Sequence, residues 1–267
     1  MRLTIQHRTT YTYTRPVTFA LQQLRLTPKQ GIGQRVLTWQ TLVEGGQKEL
    51  EYDDHNRNHV MLVSYGGEGH KIVVICQGTV ETSDNNGVVG HQAGFAPLWY
   101  FRRQTPLTKQ GMGIRSLVKG LSAEVEDPIA RCHALSARVL EAIDYKTGHT
   151  DARTTAEEAL AQGAGVCQDH AHVFIAAARQ LGFPARYVSG YLLLEGQQSQ
   201  EAAHAWAEVY FDSLGWVGFD VPNSICPDDR YVRVATGLDY SEAAPISGLH
   251  TGEPEGEAID VDIQVQQ

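Results

Sequence analysis

The chain has 267 residues, of which 42% are hydrophobic and 20% are charged. These proportions are typical of a folded globular protein, and the length suffices for one large domain or two small ones. The net charge is −9 at pH 7, and the cations form no stripe that could neutralise a phosphate backbone. We therefore expect no nucleic acid partner, and no pattern in the sequence indicates an oligomeric state.

The first residues alternate polar and apolar side chains and lack the continuous apolar segment of a secretory signal. No stretch approaches the roughly 18 apolar residues of a membrane span. The four cysteines are too few for a disulfide scaffold. These features favour a cytoplasmic protein with reduced thiols and no membrane partner.

The front of the chain, residues 1–82, follows a period of two and is rich in Thr, Val, Tyr and Ile. Turn-forming residues interrupt this pattern, for example at Gly45-Gly46 and in the cluster from Asp53 to Asn58. Short strands with such turns predict an antiparallel sandwich or barrel. We assign residues 1–105 to an N-terminal β-sandwich domain and residues 106–267 to a second, catalytic domain.

Helical periodicity begins at Asp127-Pro128, where an N-cap aspartate precedes a proline at the first helical position. The following stripe of Cys132, Leu135, Val139 and Ile143 predicts a helix with one buried face. A second, shorter helix is indicated by a capping box that pairs Thr154 with Glu157.

A third helix is predicted from Cys167 to Leu181, because glycines precede it and Gly182 can end it. Its apolar stripe includes Cys167, which places the cysteine on the buried side of a helix N-terminus. Three strands are then predicted, and the alternating tail predicts a closing strand. Their expected ranges are Ala185 to Glu195, Ala203 to Phe211, Gly215 to Asp220, and Ile259 to Val265 for the tail.

Cys167 is a candidate nucleophile because of its position at the start of a helix. A cysteine attacks as the thiolate, whereas an ordinary thiol with a pKa of about 8.5 is mostly protonated at neutral pH. The positive end of a helix dipole and a nearby imidazolium both favour the thiolate. The unpaired amides of the first turn could in addition hold a developing oxyanion.

His204 and Asp220 are candidates for the base and for the group that orients it. Each lies eight residues from Asp212, at the turn signal Asp212-Ser213, so a hairpin centred there predicts that the two stand opposite each other on one face. A carboxylate within reach of an imidazole fixes its tautomer and stabilises the imidazolium.

Three motifs in order resemble the core of bacterial transglutaminase-like proteins. They are GVCQDHAH from Gly165 with the following LGFPARYVSGYL, AHAWAEVYF from Ala203, and GWVGFD from Gly215. The strand-rich front half is similar to the N-terminal region that accompanies this core. The resemblance implies an α+β fold, with a papain-like core in which a helix carrying the cysteine packs on an antiparallel sheet. It also implies that Cys167, His204 and Asp220 form the catalytic triad.

The resemblance further implies acyl transfer through a thioester, on a peptide or protein amide, with no cofactor. Hydrolysis by a cysteine protease or amidase is the expected reaction. Transamidation with an amine acceptor and a non-catalytic peptide-binding module stay open as alternatives. Two positions depart from the family pattern, Val221 after the aspartate and Leu238 in place of an arginine.

A zinc site at Cys167 is an alternative, with His170 and His172 as ligands within one and a half helical turns and His204 as a further ligand. Structural zinc prefers closed tetrahedral ligation, and the chain has no paired Cys-x-x-Cys. No segment shows the alternating oxygen ligands of an EF-hand calcium loop. The sequence therefore predicts no metal.

Overall fold

A computed structural model describes residues 1–14, 19–66, 69–91, 94–194, 196, 199–251 and 258–267, with residues 249–251 described by their backbone. The strands are β1 (Arg2–Thr12), β2 (Phe19–Leu24), β3 (Gln34–Glu44), β4 (Gln47–Asp53), β5 (His59–Gly66), β6 (Lys71–Thr82), β7 (Val88–Gly90), β8 (Asp144–Tyr145), β9 (Ala164–Gly165), β10 (Ala185–Leu192), β11 (His204–Phe211), β12 (Gly215–Phe219), β13 (Tyr231–Gly237), β14 (Ile246–Thr251) and β15 (Ala258–Gln266). The helices are α1 (Met112–Leu117), α2 (Leu121–Glu124), α3 (Pro128–Ala142), α4 (Ala156–Gln162), α5 (Cys167–Gln180) and α6 (Tyr240–Ala243).

The front of the chain forms two four-stranded antiparallel sheets, in the orders β15-β1-β6-β3 and β14-β2-β5-β4. Apolar side chains from both sheets share one core, which includes Tyr11, Leu24, Val63 and Val74. Inward and outward residues alternate along β1, as a strand with one buried face requires. The predicted antiparallel sandwich and the α+β class are confirmed.

The last two strands of the chain belong to this sandwich. β15 pairs with β1 over nine residue pairs, and β14 pairs with β2 over six. A sequential division between residues 105 and 106 therefore places these strands in the wrong unit. The physical reason is that β1 and β2 would otherwise be sheet edges with unpaired backbone groups, which the returning chain covers.

The second unit is built on a five-stranded antiparallel sheet in the order β13-β10-β11-β12-β7. The predicted strands of this part are present, although β10 ends at Leu192 and Glu195 lies outside the described residues. α5 packs on β11 and β10 and is enclosed on its other sides by α1, α3 and α4. Every residue of α5 from Asp169 to Arg179 is buried, rather than one stripe.

The helix starts follow the sequence with one correction. Asp127 caps α3, and its side chain accepts a hydrogen bond from Ala130 N–H. The capping box of α4 lies one residue later than predicted and pairs Thr155 with Glu158. The prediction was wrong because Glu157 serves another helix, accepting hydrogen bonds from three backbone amides at the start of α1.

The sandwich and the second unit are joined by a buried contact. Leu3 and Ile5 of β1 and Ile263 of β15 pack against Tyr191, Val232 and Val234 of the five-stranded sheet. His7 bonds across this contact, with Nδ1 2.9 Å from the hydroxyl of Tyr191. Burial lowers the pKa of His7 to about 4 against the opposing effect of Asp262, so this imidazole is neutral at pH 7.

Within the described ranges, no helix is long and apolar enough to cross a membrane.

Because β15 closes the sandwich, we expect its two isoleucines to contribute differently to the free energy of unfolding. Ile263 is 1% exposed and Ile259 is 57% exposed. We expect Ile263→Ala to lower the free energy of unfolding by about 2–5 kcal/mol, because it leaves a cavity where the two units meet. The matched control Ile259→Ala should change it by less than about 0.5 kcal/mol. Urea denaturation measures both values, and equal losses would contradict the buried role of β15.

Candidate active site

Cys167 is the first residue of α5 and follows a loop that is fixed on both sides. Ala164 and Gly165, three and two residues before Cys167, pair in parallel with Asp144 and Tyr145. The Asp169 side chain accepts a hydrogen bond from Val166 N–H at 2.8 Å and closes the first turn. A Cβ added at Gly165 would lie 2.7 Å from Asp169, so this glycine is needed for the turn to close. Cys167 itself is half-buried.

His204 is the first residue of β11 and lies between the other two predicted site residues. Its Nε2 is 2.6 Å from Asp220 Oδ2, and Cys167 lies close enough to the ring to raise the pKa of His204. Because Nε2 is used by the carboxylate, Nδ1 is the nitrogen that remains for the thiol. The structure thus brings Cys167, His204 and Asp220 into contact.

The hairpin that carries His204 and Asp220 has a different register from the one predicted. Phe211 pairs with Gly215 and Ala207 with Phe219, so the turn is centred on Ser213 rather than on Asp212. Continuation of this ladder would set Asp220 opposite Trp206, two residues from His204. The side chains therefore meet diagonally rather than directly across the hairpin, which preserves the shared face because the shift is an even number of residues.

Asp220 lies just beyond the end of β12 and is fully buried. Its Oδ2 accepts hydrogen bonds from Asn223 Nδ2 at 2.7 Å and from the hydroxyl of Tyr231 at 2.6 Å, in addition to His204. Burial by itself would raise the pKa of Asp220, but these three hydrogen bonds hold it below its ordinary value. The carboxylate is therefore ionised at neutral pH.

The charge of His204 follows from its two partners. Burial by itself would lower the pKa of His204, but the hydrogen bonds and negative charges of Asp220 and Cys167 raise it to about 10. An imidazolium is thus the form favoured at neutral pH. A protonated imidazole beside Cys167 can also donate its proton to a leaving group.

Four neighbours of these residues were not predicted as part of the site. Asn223 and Tyr231 hold Asp220, and the ring of Trp206 lies 6.1 Å from that of His204. Asn223 had a signal, its position three residues after the aspartate. Trp206 shows only the pattern of an aromatic residue on a strand, which is a core position by default, and no pattern in the sequence distinguishes Tyr231.

Tyr145 is the fourth neighbour, and 55% of its surface is exposed to solvent. Its ring stacks on that of His170, one turn along α5 from Cys167, at a centroid distance of 6.1 Å. Burial and then the negative charges of Cys167, Asp220 and Asp169 raise the pKa of its hydroxyl. Its hydroxyl therefore stays protonated and can donate a hydrogen bond near the thiol.

The two histidines that follow Cys167 are occupied by backbone groups. His170 contacts the carbonyl oxygens of Val166 and Ile143, at 2.9 and 3.0 Å. Nε2 of His172 accepts a hydrogen bond from Tyr240 N–H, and burial lowers the pKa of this imidazole to about 4. Among the described residues, no group of three His, Cys, Asp or Glu side chains could hold a metal ion.

The two departures from the family pattern lie in apolar cores. Val221 is 1% exposed and belongs to the core around α5. Leu238 is 4% exposed and packs with Phe101 and Trp216, while its carbonyl accepts a hydrogen bond from Arg179 at 2.7 Å.

Comparison with known proteins connects this geometry to a family. The profile described as the transglutaminase-like superfamily matches residues 115–221, and that of the bacterial transglutaminase-like N-terminal region matches residues 3–81. An uncharacterized protein of Mycobacterium leprae is 27% identical over 99% of this chain and 98% of its own length. One of Mycobacterium tuberculosis is 26% identical over 99% of this chain and 92% of its own.

Among solved structures, the fold is similar to that of "a Putative Cysteine Protease from Cytophaga hutchinsonii". The TM-score is 0.77 at 20% sequence identity, and the match covers 100% of this chain and 98% of the other. At this level of identity, the comparison establishes that the two proteins share the same fold, including both units.

The raised pKa of His204 predicts how its ring titrates. We expect the imidazole to remain protonated from pH 7 to about 9 and to lose its proton near pH 10. Asp220→Asn removes a negative charge and should move this titration to lower pH, whereas Asp212→Asn, at the exposed hairpin turn, should leave it unchanged. Nitrogen NMR shifts of labelled histidine measure the protonation state. A wild-type ring that titrates near the ordinary value of about 6.5 would contradict the assignment.

Proposed function

This chain belongs to the transglutaminase-like superfamily. On this basis we propose a thiol-dependent enzyme that cleaves amide bonds through Cys167, His204 and Asp220. The observation that supports this most directly is the position of His204. Its ring bonds to a buried carboxylate, and the thiol at the N-terminus of α5 lies close enough to raise the pKa of the ring. This is the arrangement that activates a nucleophile and keeps a proton ready for the leaving group.

The proposed reaction begins with attack of the Cys167 thiolate on the amide carbonyl. The tetrahedral intermediate places negative charge on the carbonyl oxygen, which the first-turn amide of Cys167 and the hydroxyl of Tyr145 are positioned to stabilise. The His204 imidazolium then donates its proton to the amide nitrogen. The carbon–nitrogen bond breaks, the amine leaves, and the acyl group remains on sulfur as a thioester.

Deacylation uses the same residues in the opposite sense. Neutral His204 removes a proton from the incoming acceptor, the acceptor attacks the thioester, and the carbon–sulfur bond breaks. The thiolate and the imidazolium are restored together. Asp220 fixes the orientation of the ring throughout and stabilises its positive charge, without taking up the proton itself.

We propose water as the acceptor, so that the enzyme is a cysteine protease or amidase acting on peptide or protein substrates. The exposure of Tyr145 and the partial exposure of Cys167 support an open site, and an open site admits water readily. Transamidation would require exclusion of water in favour of an amine.

We also propose that the protein works in the reducing environment of the cytoplasm. All four cysteines are free thiols.

Burial raises the pKa of Cys76 and of Cys132 to about 12 and also raises that of Cys226. These three thiols are therefore poor nucleophiles at neutral pH, and a reagent that requires a thiolate should select Cys167.

The first test of the proposed function is acylation by p-nitrophenyl acetate. We expect wild-type protein to release a burst of one nitrophenol per chain at pH 7.5 and Cys167→Ala to release none. His204→Ala should slow acylation by about 10²–10⁴-fold, because the thiol loses the base that activates it. Cys226→Ser, which removes another half-buried thiol, is the matched control and should acylate at the wild-type rate.

The same experiment distinguishes hydrolysis at Cys167 from a non-catalytic binding module and from transamidation. A burst of the same size in Cys167→Ala would remove the enzyme assignment and favour a binding module. Added butylamine tests the acceptor, since a hydrolase should release mainly acetate even at millimolar amine. Butylacetamide as the main product would replace hydrolysis by transamidation.

The oxyanion role of Tyr145 gives a separate prediction. Tyr145→Phe keeps the ring on His170 but removes the hydroxyl, so acylation by the ester should fall by about tenfold or more. Alkylation of Cys167 by iodoacetamide forms no oxyanion and should change by less than about twofold. Stopped-flow absorbance and mass spectrometry measure the two rates. Equal reductions of both would assign Tyr145 to thiol activation instead.

A further inference from the structure

A cavity of about 600 Å³ lies away from Cys167, between loops of the sandwich and one face of the five-stranded sheet. Lys29 and Asn56 contribute from the sandwich, and Arg186, Trp216 and Arg233 contribute from strands β10, β12 and β13. This volume is within the range of about 300–1,000 Å³ that small-molecule sites occupy. None of these residues takes part in the proposed reaction.

Two arginines of the cavity share a single carboxylate. Glu208 is fully buried and lies 2.7 Å from Arg186 and 2.6 Å from Arg233. Burial by itself would raise the pKa of Glu208, but the two guanidinium groups lower it to about 2, so it is ionised. Arg186 also stacks on the ring of Trp216, with Cζ 3.9 Å from the ring centroid. One negative charge thus faces two fixed positive charges.

Lys29 adds a third cation on the opposite wall. Its Nζ donates hydrogen bonds to the carbonyl oxygens of Asn56 at 2.9 Å and Arg57 at 2.8 Å. Burial, and then the positive charges of Arg233 and Arg186, hold the pKa of Lys29 well below its ordinary value, against the opposing effect of Asp54 and Glu208. The two guanidinium groups therefore oppose the positive charge of Lys29 more strongly than the two carboxylates favour it.

Among the described residues that line the cavity, four are Lys or Arg and one is acidic. Asp54 is the other carboxylate that acts on Lys29, and it lies 3.7 Å from Arg25 in an ion pair of its own. On the outer rim, the exposed Asp53 lies 3.4 Å from Nδ1 of His59, and the exposed Arg57 and His91 also line the cavity. A local excess of positive charge is unusual in a chain with a net charge of −9.

Asn56 supplies a second, independent indication of a ligand. It is 9% exposed, and its Nδ2 donates to the Glu242 carboxylate at 3.2 Å, which fixes the orientation of the amide. Its Oδ1 is buried and has no hydrogen-bond partner among the described residues. A buried acceptor without a donor is costly, so the cavity favours a ligand that can donate a hydrogen bond.

We propose that this cavity is a binding site for a small oxyanion that also carries a hydrogen-bond donor, of the phosphate or hydroxy-carboxylate class. The anion lies between Lys29 and the Arg186–Arg233 pair, and its hydroxyl group or acidic proton donates to Asn56 Oδ1. Because the loops of the sandwich and the sheet of the second unit both contribute, the ligand connects the two units. The site is separate from the proposed active site and does not depend on its chemistry.

The test is isothermal titration of the full chain with inorganic phosphate, sulfate and citrate at pH 7.5 and constant ionic strength. We expect one saturable phosphate site per chain. Sulfate has the same shape as phosphate but no proton to donate at this pH, so it should bind about fivefold or more weakly. Citrate, a hydroxy-carboxylate, should bind at the same site, and the tighter of citrate and phosphate identifies the class.

Variants of matched charge locate the site. Lys29→Gln should weaken phosphate binding by about tenfold or more, because a charge-assisted hydrogen bond is lost. Lys119→Gln, an exposed lysine between α1 and α2, removes the same charge and should bind as the wild type does. Arg57→Gln, at an exposed turn on the cavity rim, is a second variant should Lys29→Gln fail to fold, and it should weaken binding several-fold. Absence of saturable binding, or equal affinity in the cavity variants and Lys119→Gln, would overturn the proposal.

Discussion

The burial of α5 on all sides is the constraint on which the rest of this protein depends. Small side chains at Ala171 and from Ala176 to Ala178 let strands and three other helices approach the α5 backbone closely. A helix held in this way cannot shift along its axis without opening the core. Its first residue, Cys167, is therefore fixed relative to β11, and a thiol can meet the imidazole of His204 without support from a flexible loop.

The same sheet carries charge chemistry of two kinds along β11. His204 at the start of the strand faces Asp220, and Glu208, four residues later on the same face, is held by Arg186 and Arg233. In both places a buried carboxylate is ionised because cations and hydrogen bonds outweigh the cost of its burial. Trp206 lies between them on the same face of the strand, and its ring is 6.1 Å from that of His204.

Much of the fold could be predicted from sequence, and so could the placement of the three candidate site residues at a helix start and on one face of a hairpin. Alternation predicted the sandwich strands, and glycine and proline positions predicted the limits of α3 and α5, because these signals depend on local backbone geometry. The hairpin register was two residues wrong, because a turn signal at Asp212-Ser213 does not specify the loop length. Tyr231 and Tyr145 gave no signal, since their contacts with the site join segments distant in the chain.

The sequence by itself determined the local chemistry of this protein, which is a cysteine at a helix start and a histidine and an aspartate on one face of a hairpin. Only the tertiary structure decided that these elements meet, that β14 and β15 return to the first sandwich, and that cations from two units surround one cavity. The physical reason is the distance along the chain over which each interaction acts. Periodicity and capping act over a few residues, whereas partners for buried charges and sheet edges are selected by packing of segments far apart in the chain.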